Sequence, residues 1–151
     1  MTEHLRRFEA VTPSMTSADG LIDVWWTDPP GLMCRIRATH MTQPLAIFLA
    51  KDVDRELRRL SPGPYVFVHD WSALRGYDTD ARKVMTDWGT RLDKQMKSVR
   101  IYIDPTTSSL VRMGLTVACA ALTVAGHDVA ATTNINATLA SLGMRPRRAA
   151  V

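Results

Sequence analysis

His69, Asp70 and Ser72 stand close together directly after an apolar run, and their types would serve nucleophile, base and acid chemistry. Hydrolysis needs such groups to converge, yet neighbours in an extended segment point in alternating directions, so this spacing does not assemble a catalytic set. The GxSxG turn that exposes a serine nucleophile is absent, and Asp70 and Ser72 read as hydrogen-bonding residues that close a loop. The other histidines, His4, His40 and His127, have no HExxH or comparable ligand spacing, so no metal site is expected. Neither GxGxxG nor GxxxxGK[ST] occurs, and no nucleotide or other cofactor is expected. A receiver-type phosphoaspartate at Asp70 would need paired acids after the first strand to hold magnesium, and Trp25-Trp26-Thr27-Asp28 does not provide them. No nucleophile and base pair is visible, and the chain is expected not to be an enzyme.

The remaining chemistry is that of binding. Asp78-Thr79-Asp80 combines a helix-capping pattern with a hydroxyl that a kinase can modify. Trp25, Trp26, Trp71, Tyr77 and Trp88 are residue types favoured in binding hot spots and also in cores. Trp25 and Trp26 are strand neighbours, so at most one of them faces a given core directly. Together with Met113 they are candidates to line an apolar-ligand pocket beneath a long uncharged helix.

These residues are positioned by a regular series of elements. Leu21 to Thr27 and Leu32 to Ala38 are β-prone runs joined by Asp28-Pro29-Pro30-Gly31, which predicts an antiparallel pair. Leu45, Phe48, Leu49, Val53, Leu57 and Leu60 recur at helical spacing and stop at Ser61-Pro62-Gly63-Pro64. Tyr65 to His69 is nearly continuous apolar, as in a strand covered on both faces. After a loop from Asp70 to Asp78, the residues Ala81, Val84, Met85, Trp88, Leu92 and Met96 mark another helical face. Val99 to Ile103 is the next strand, an apolar helix runs from about Ser109 to Ala125, and Gly126 ends it. Val129 to Thr132 and a short helix capped by Asn134 and stopped by Gly143 complete the order. The expected fold class is therefore α/β, a mixed sheet of about four or five strands with about four helices in the order ββαβαβαβα.

The chain of 151 residues is long enough for one domain with its own core. Residues 1–19 are polar and aperiodic and read as an arm, 20–143 as the domain, and 144–151 as a basic tail. The net charge of +4 and pI of about 9.4 owe much to Arg145, Arg147 and Arg148 of that tail. The basic stripe Lys51, Arg55, Arg58 and Arg59 is interrupted by Asp52, Asp54 and Glu56, so a solvated helix face is expected and nucleic acid is not. Cys34 and Cys119 are far apart and outside any CxxC, which fits two packing residues in a reducing compartment. The start carries no apolar signal-peptide core, and the uncharged run Met113 to His127 falls short of the roughly 20 apolar residues of a membrane span. A cytoplasmic location without stable membrane insertion is expected, and the oligomeric state stays open.

The loop after the third strand carries a family resemblance. Asp70-Trp71-Ser72-Ala73-Leu74-Arg75-Gly76-Tyr77-Asp78-Thr79 resembles, without a gap, the Asp, apolar, Ser, any, aliphatic, two variable, apolar, Asp, Ser or Thr pattern of anti-sigma factor antagonists and other STAS domains. The element order is also theirs, and the resemblance spans roughly residues 20–143. It implies a STAS-like fold and a non-enzymatic signalling module. Its partner would be an anti-sigma factor, a kinase-like or another signalling protein, docking on Asp70, Trp71, Ser72, Tyr77, Asp78 and Asp80. In that family the residue at the place of Thr79 is phosphorylated. The family pattern continues with a small residue and glycine, whereas this chain has Asp80 and Ala81, and a carboxylate beside Thr79 leaves the surface acidic without phosphate. A divergent STAS-like branch lacks the phosphorylated residue and resembles lipid carriers, which implies the alternative of a small apolar-ligand or lipid-binding domain.

Overall fold

The protein is described by a computed structural model covering residues 3–92 and 95–148. Helix α1 (Glu3–Glu9) and a short strand β1 (Met15–Thr16) precede the hairpin of β2 (Ile22–Asp28) and β3 (Gly31–Ile36). Strand β4 (His40–Met41) leads into α2, a continuous helix over 43–60 whose middle, Phe48–Val53, is π-helical. There follow β5 (Tyr65–Asp70), β6 (Gly76–Tyr77), α3 (Thr79–Leu92), β7 (Met96–Tyr102), α4 (Ser109–Val124), β8 (Val129–Thr132), α5 (Ile135–Ser141) and β9 (Arg145–Pro146). The predicted ββαβαβαβα order is the backbone of this series. The element count is slightly higher than expected, because β1, β4, β6 and β9 are two-residue pairings and α1 is one short helix, and neither leaves a periodic signal.

The main sheet runs β1-β2-β3-β5-β7-β8, with β9 added on β2. The β2–β3 pair is antiparallel, whereas β3–β5, β5–β7 and β7–β8 are parallel, with Leu32 opposite Phe67 and Cys34 opposite His69. Parallel neighbours need crossovers, and α2, α3 and α4 supply them. Alternation along β5 sends Tyr65 and Phe67 into the core under α2, α3 and α4, and Val66 and Val68 into the core under α1 and α5. Gly31 opens β3 where the hairpin meets β5. A Cβ there would lie 1.8 Å from the Val66 carbonyl oxygen at a φ of 155°, so no side chain fits.

One boundary differs from the sequence reading. Met96 continues the helical face of Trp88 and Leu92 on paper, yet α3 ends at Leu92 and Met96 opens β7. Met96 is buried in the same core as Leu92, so a demand for burial does not distinguish the two assignments.

The described residues of the arm and tail pack on the sheet. Phe8 is fully buried and stands edge-on to Trp25 at 6.1 Å, the Trp25 indole N–H donates to the Val11 carbonyl at 2.8 Å, and the Leu5 N–H donates to Asn136 Oδ1 at 2.9 Å. Met144 is buried, and the Arg147 N–H donates to the Trp26 carbonyl at 2.7 Å beside the β2–β9 pairing. Removing the Phe8 ring leaves a cavity against Trp25, so Phe8→Ala is expected to lower stability by about 3 kcal/mol. Urea unfolding of the full chain checks this, and a midpoint within error of the unsubstituted protein would contradict it.

Candidate functional site

Helices α3 and α4 do not close completely over the sheet. Between them lies a partly open cavity of about 100 Å³. Phe67 and His69 of β5, Val99 and Ile101 of β7 form its floor, and Trp88 of α3 and Leu115 of α4 stand in its walls. The lining is almost wholly apolar, and Arg82 is its one charged side chain among the described residues.

The floor is an aromatic row produced by strand alternation. Tyr65 and Phe67 stack at 6.0 Å, Phe67 meets His69 edge-on at 6.1 Å, and His69 meets Trp71 at 6.4 Å. Trp88 lies across this row, 5.7 Å from Phe67 and 6.0 Å from His69, and its indole N–H donates to Asp54 Oδ1 at 3.0 Å. Burial pushes His69 down to about 4, so the imidazole is neutral at pH 7. His69 Nδ1 and Trp71 Nε1 are buried without a hydrogen-bond partner among the described residues. Such groups are rare in native folds because each forfeits its hydration.

The loop from Asp70 to Asp78 forms the rim. Asp70 Oδ1 accepts from the Ser72 N–H at 3.0 Å and the Ser72 hydroxyl at 2.7 Å, while Oδ2 accepts from Arg35 at 3.4 Å. Asp70 thus closes the loop, and His69 projects into the core with Trp88 rather than toward Ser72. Strands β4 and β6 pair in parallel, and the N–H groups of Arg75 and Asp78 donate to the carbonyls of Thr39 and Met41 at 2.7 and 2.9 Å. Tyr77 packs against α4: a Cβ at Gly114 would lie 2.3 Å from its hydroxyl. That contact explains a glycine inside a helix, where it costs about 1 kcal/mol of propensity.

Thr79 is exposed at the first position of α3, with Asp78 and Asp80 exposed beside it. Asp78 marks the helix start through its carbonyl, which accepts from the Arg82 N–H at 3.0 Å, while its carboxylate engages His40 Nε2 at 2.7 Å. The carboxylate that the sequence offers as a cap is therefore directed to His40.

The sequence-based pocket candidates lie elsewhere. Trp25 faces the opposite core with Phe8, Trp26 is half-buried at the hairpin, and Met113 is 64% exposed on the outer face of α4 with Leu110 and Val117. The cavity instead uses Trp71 and Tyr77 from the predicted docking loop, together with His69, Trp88 and Leu115. Their signal was present in the alternation Tyr65, Phe67, His69, which puts the histidine on the inward side of an apolar strand. Among the described residues no group of three or more His, Cys, Asp or Glu side chains is arranged to hold a metal, and no helix is long and apolar enough to cross a membrane.

The low position of His69 makes stability depend on pH. The unfolded chain takes up the His69 proton near 6.5 and the folded chain only near 4, so stability is full above about 6.5 and falls as pH drops through this window. The loss is expected to approach about 3 kcal/mol at the lower end. Asp19, Asp104 and Asp128 are held below 3.8 by hydrogen bonds from Ser17, Thr106 and Arg100, so they titrate beneath this window. Urea unfolding at pH 7.5 and pH 4.5 should show the loss, and His69→Phe should be markedly less sensitive over that interval. Equal sensitivity of both proteins would contradict the assignment.

No family model matches the sequence, and no curated protein matches it. Among solved structures, the fold is similar to the crystal structure of an uncharacterized protein of the DUF3478 family, with a SpoIIAA-like fold, from Shewanella loihica PV-4. The TM-score is 0.59 at 16% identity, covering 80% of this chain and 91% of that one. At this identity the likeness is one of fold. The chain has the SpoIIAA-like fold, the fold of the STAS domains that its Asp70 to Thr79 loop resembles.

Proposed function

We propose that this protein is a non-enzymatic ligand-binding module whose cavity between α3, α4 and the sheet takes a small apolar molecule. The observation that carries this reading is a partly open cavity of about 100 Å³ lined by aromatic and aliphatic side chains. An apolar cavity of about 150 Å³ holds a benzene ring; this one is smaller but partly open, so it suits a short branched chain or a ring that extends into its mouth. Native mass spectrometry of freshly purified protein should reveal a small bound molecule that denaturation releases. Toluene, followed by tryptophan fluorescence, should bind saturably, and Ala118→Phe, which fills the cavity wall, should weaken it at least about tenfold. Absence of saturable toluene binding would remove the reading.

A second reading is favoured by the rim. The exposed Thr79 hydroxyl begins a 14-residue helix, where the N-terminal dipole tolerates an added phosphate, and the loop before it is held by hydrogen bonds to Thr39 and Met41. In this reading the chain is a cytoplasmic signalling module. An anti-sigma factor-like or kinase-like protein docks on Asp70, Trp71, Ser72, Tyr77, Asp78 and Asp80, and phosphate on Thr79 expels it. Incubation with cell extract and ATP should then yield phosphate at Thr79 by mass spectrometry, and Thr79→Glu should lose the partner that the unsubstituted protein recovers. An unmodified Thr79 together with unchanged recovery would end this reading.

A further inference from the structure

We infer that a second copy of this chain docks on the exposed face of α4, the two helices lying antiparallel about a two-fold axis at Val117.

Helix α4 buries Val111 and Leu115, yet other large apolar side chains of the same helix stand in solvent. Leu110 is 53% exposed, Met113 64%, Val117 62% and Val124 90%, and Ala120 and Ala121 between them are exposed as well. Four of the six exposed large hydrophobic side chains among the described residues therefore lie on one helix, which makes a patch rather than a scatter.

The spacing is that of a helix-to-helix seam. Positions 110, 113, 117, 120 and 124 alternate by three and four, the rhythm with which one helix packs along another, here over about 21 Å. Reversed about Val117, the stripe is complementary to itself. An antiparallel copy sets Leu110 against Val124, Met113 against Ala121, and Val117 against its own counterpart. The long Met113 thus meets a small alanine, which lets two identical faces interlock. The same arrangement brings the N-terminal end of each helix beside the C-terminal end of the other, where the dipoles attract.

Charge selects the occupant. Ser109–Val124 contains no Asp, Glu, Lys or His, and its one cation, Arg112, donates to the carbonyls of Asp104 and Pro105. A peptide or nucleic acid that binds through charge finds no counter-ion on this face. A second copy brings the same uncharged surface and no repulsion. Docking removes on the order of 1,000 Å² from the two copies together, the lower bound of a specific interface. The product is a weak dimer with isologous contacts, and it responds to concentration.

Sedimentation velocity of the full chain over about three decades of concentration should show the mass rise from 16.8 kDa toward twice that value. Val117→Glu sets two carboxylates against each other on the axis and should weaken association at least about tenfold, while Thr123→Glu, exposed on the flank of the same helix, should leave it unchanged. Orientation is read by oxidation in a Cys119→Ala background, since Cys34 is buried. Val117→Cys should form a disulfide-linked dimer, as should Met113→Cys combined with Ala121→Cys. Met113→Cys alone should not, because antiparallel copies hold the two positions about 12 Å apart along the axis. A linked Met113→Cys variant would overturn the antiparallel arrangement. A monomer at the highest concentration, or a dimer that Val117→Glu leaves intact, would overturn the contact itself. Recovery of that monomer on phosphatidylcholine vesicles would assign the face to a lipid surface instead. The cysteine variants keep the face uncharged, so they decide the matter if Val117→Glu fails to fold.

Discussion

Every residue of β5 from Tyr65 to Asp70 is buried, and its two faces belong to different cores. A strand in that position has no solvent-facing side to relax toward, so its register against β3 and β7 determines where each neighbour packs. A shift by one residue would drive Val66 and Val68 under α3 and turn the aromatic row toward α1. Gly31 protects the register at one end, because only a residue without a side chain passes the Val66 carbonyl. The Asp70 hydrogen bonds to Ser72 and Arg35 hold the other end.

From this strand the cavity follows as a packing consequence. Tyr65, Phe67 and His69 present a broad aromatic surface, and Trp88 covers part of it from α3. Helix α4 crosses the rest, but Tyr77 fills the place next to Gly114, and the side chains of Leu115 and Leu122 leave a gap over His69 and Trp71. Helix α3, the other wall of this gap, begins at Thr79. The cavity and the exposed rim at Thr79 therefore share α3.

Much of the framework was legible from local pattern. The near-continuous apolar run Tyr65 to His69 marked the doubly covered strand, helical spacing marked α2 and α3, and Asn134 and Gly143 bounded α5, whose first turn Asn134 caps through the Ala137 N–H at 3.0 Å. The small pairings were not legible. β4 joins β6 across more than thirty residues, and β9 returns to β2 from the far end of the chain, so no local signal announces them. Phe8 is one aromatic in a polar segment, and its burial depends on Trp25 and on α5, which the segment itself does not encode.

The site divides along the same line. By itself the sequence determined the element order, the loop from Asp70 to Thr79 and the exposed start of the following helix, because periodicity, turn residues and capping chemistry act over a few neighbouring positions. Only the tertiary structure decided that Trp25 faces the core opposite the cavity, that Met113 points to solvent, and that His69 and Trp71 line the cavity while His69 Nδ1 and Trp71 Nε1 lie buried without partners among the described residues. Those outcomes depend on which elements meet across the sheet and on how closely α3 and α4 approach over it. Volume left between packed side chains is a property of the assembled layers, and no single segment carries it.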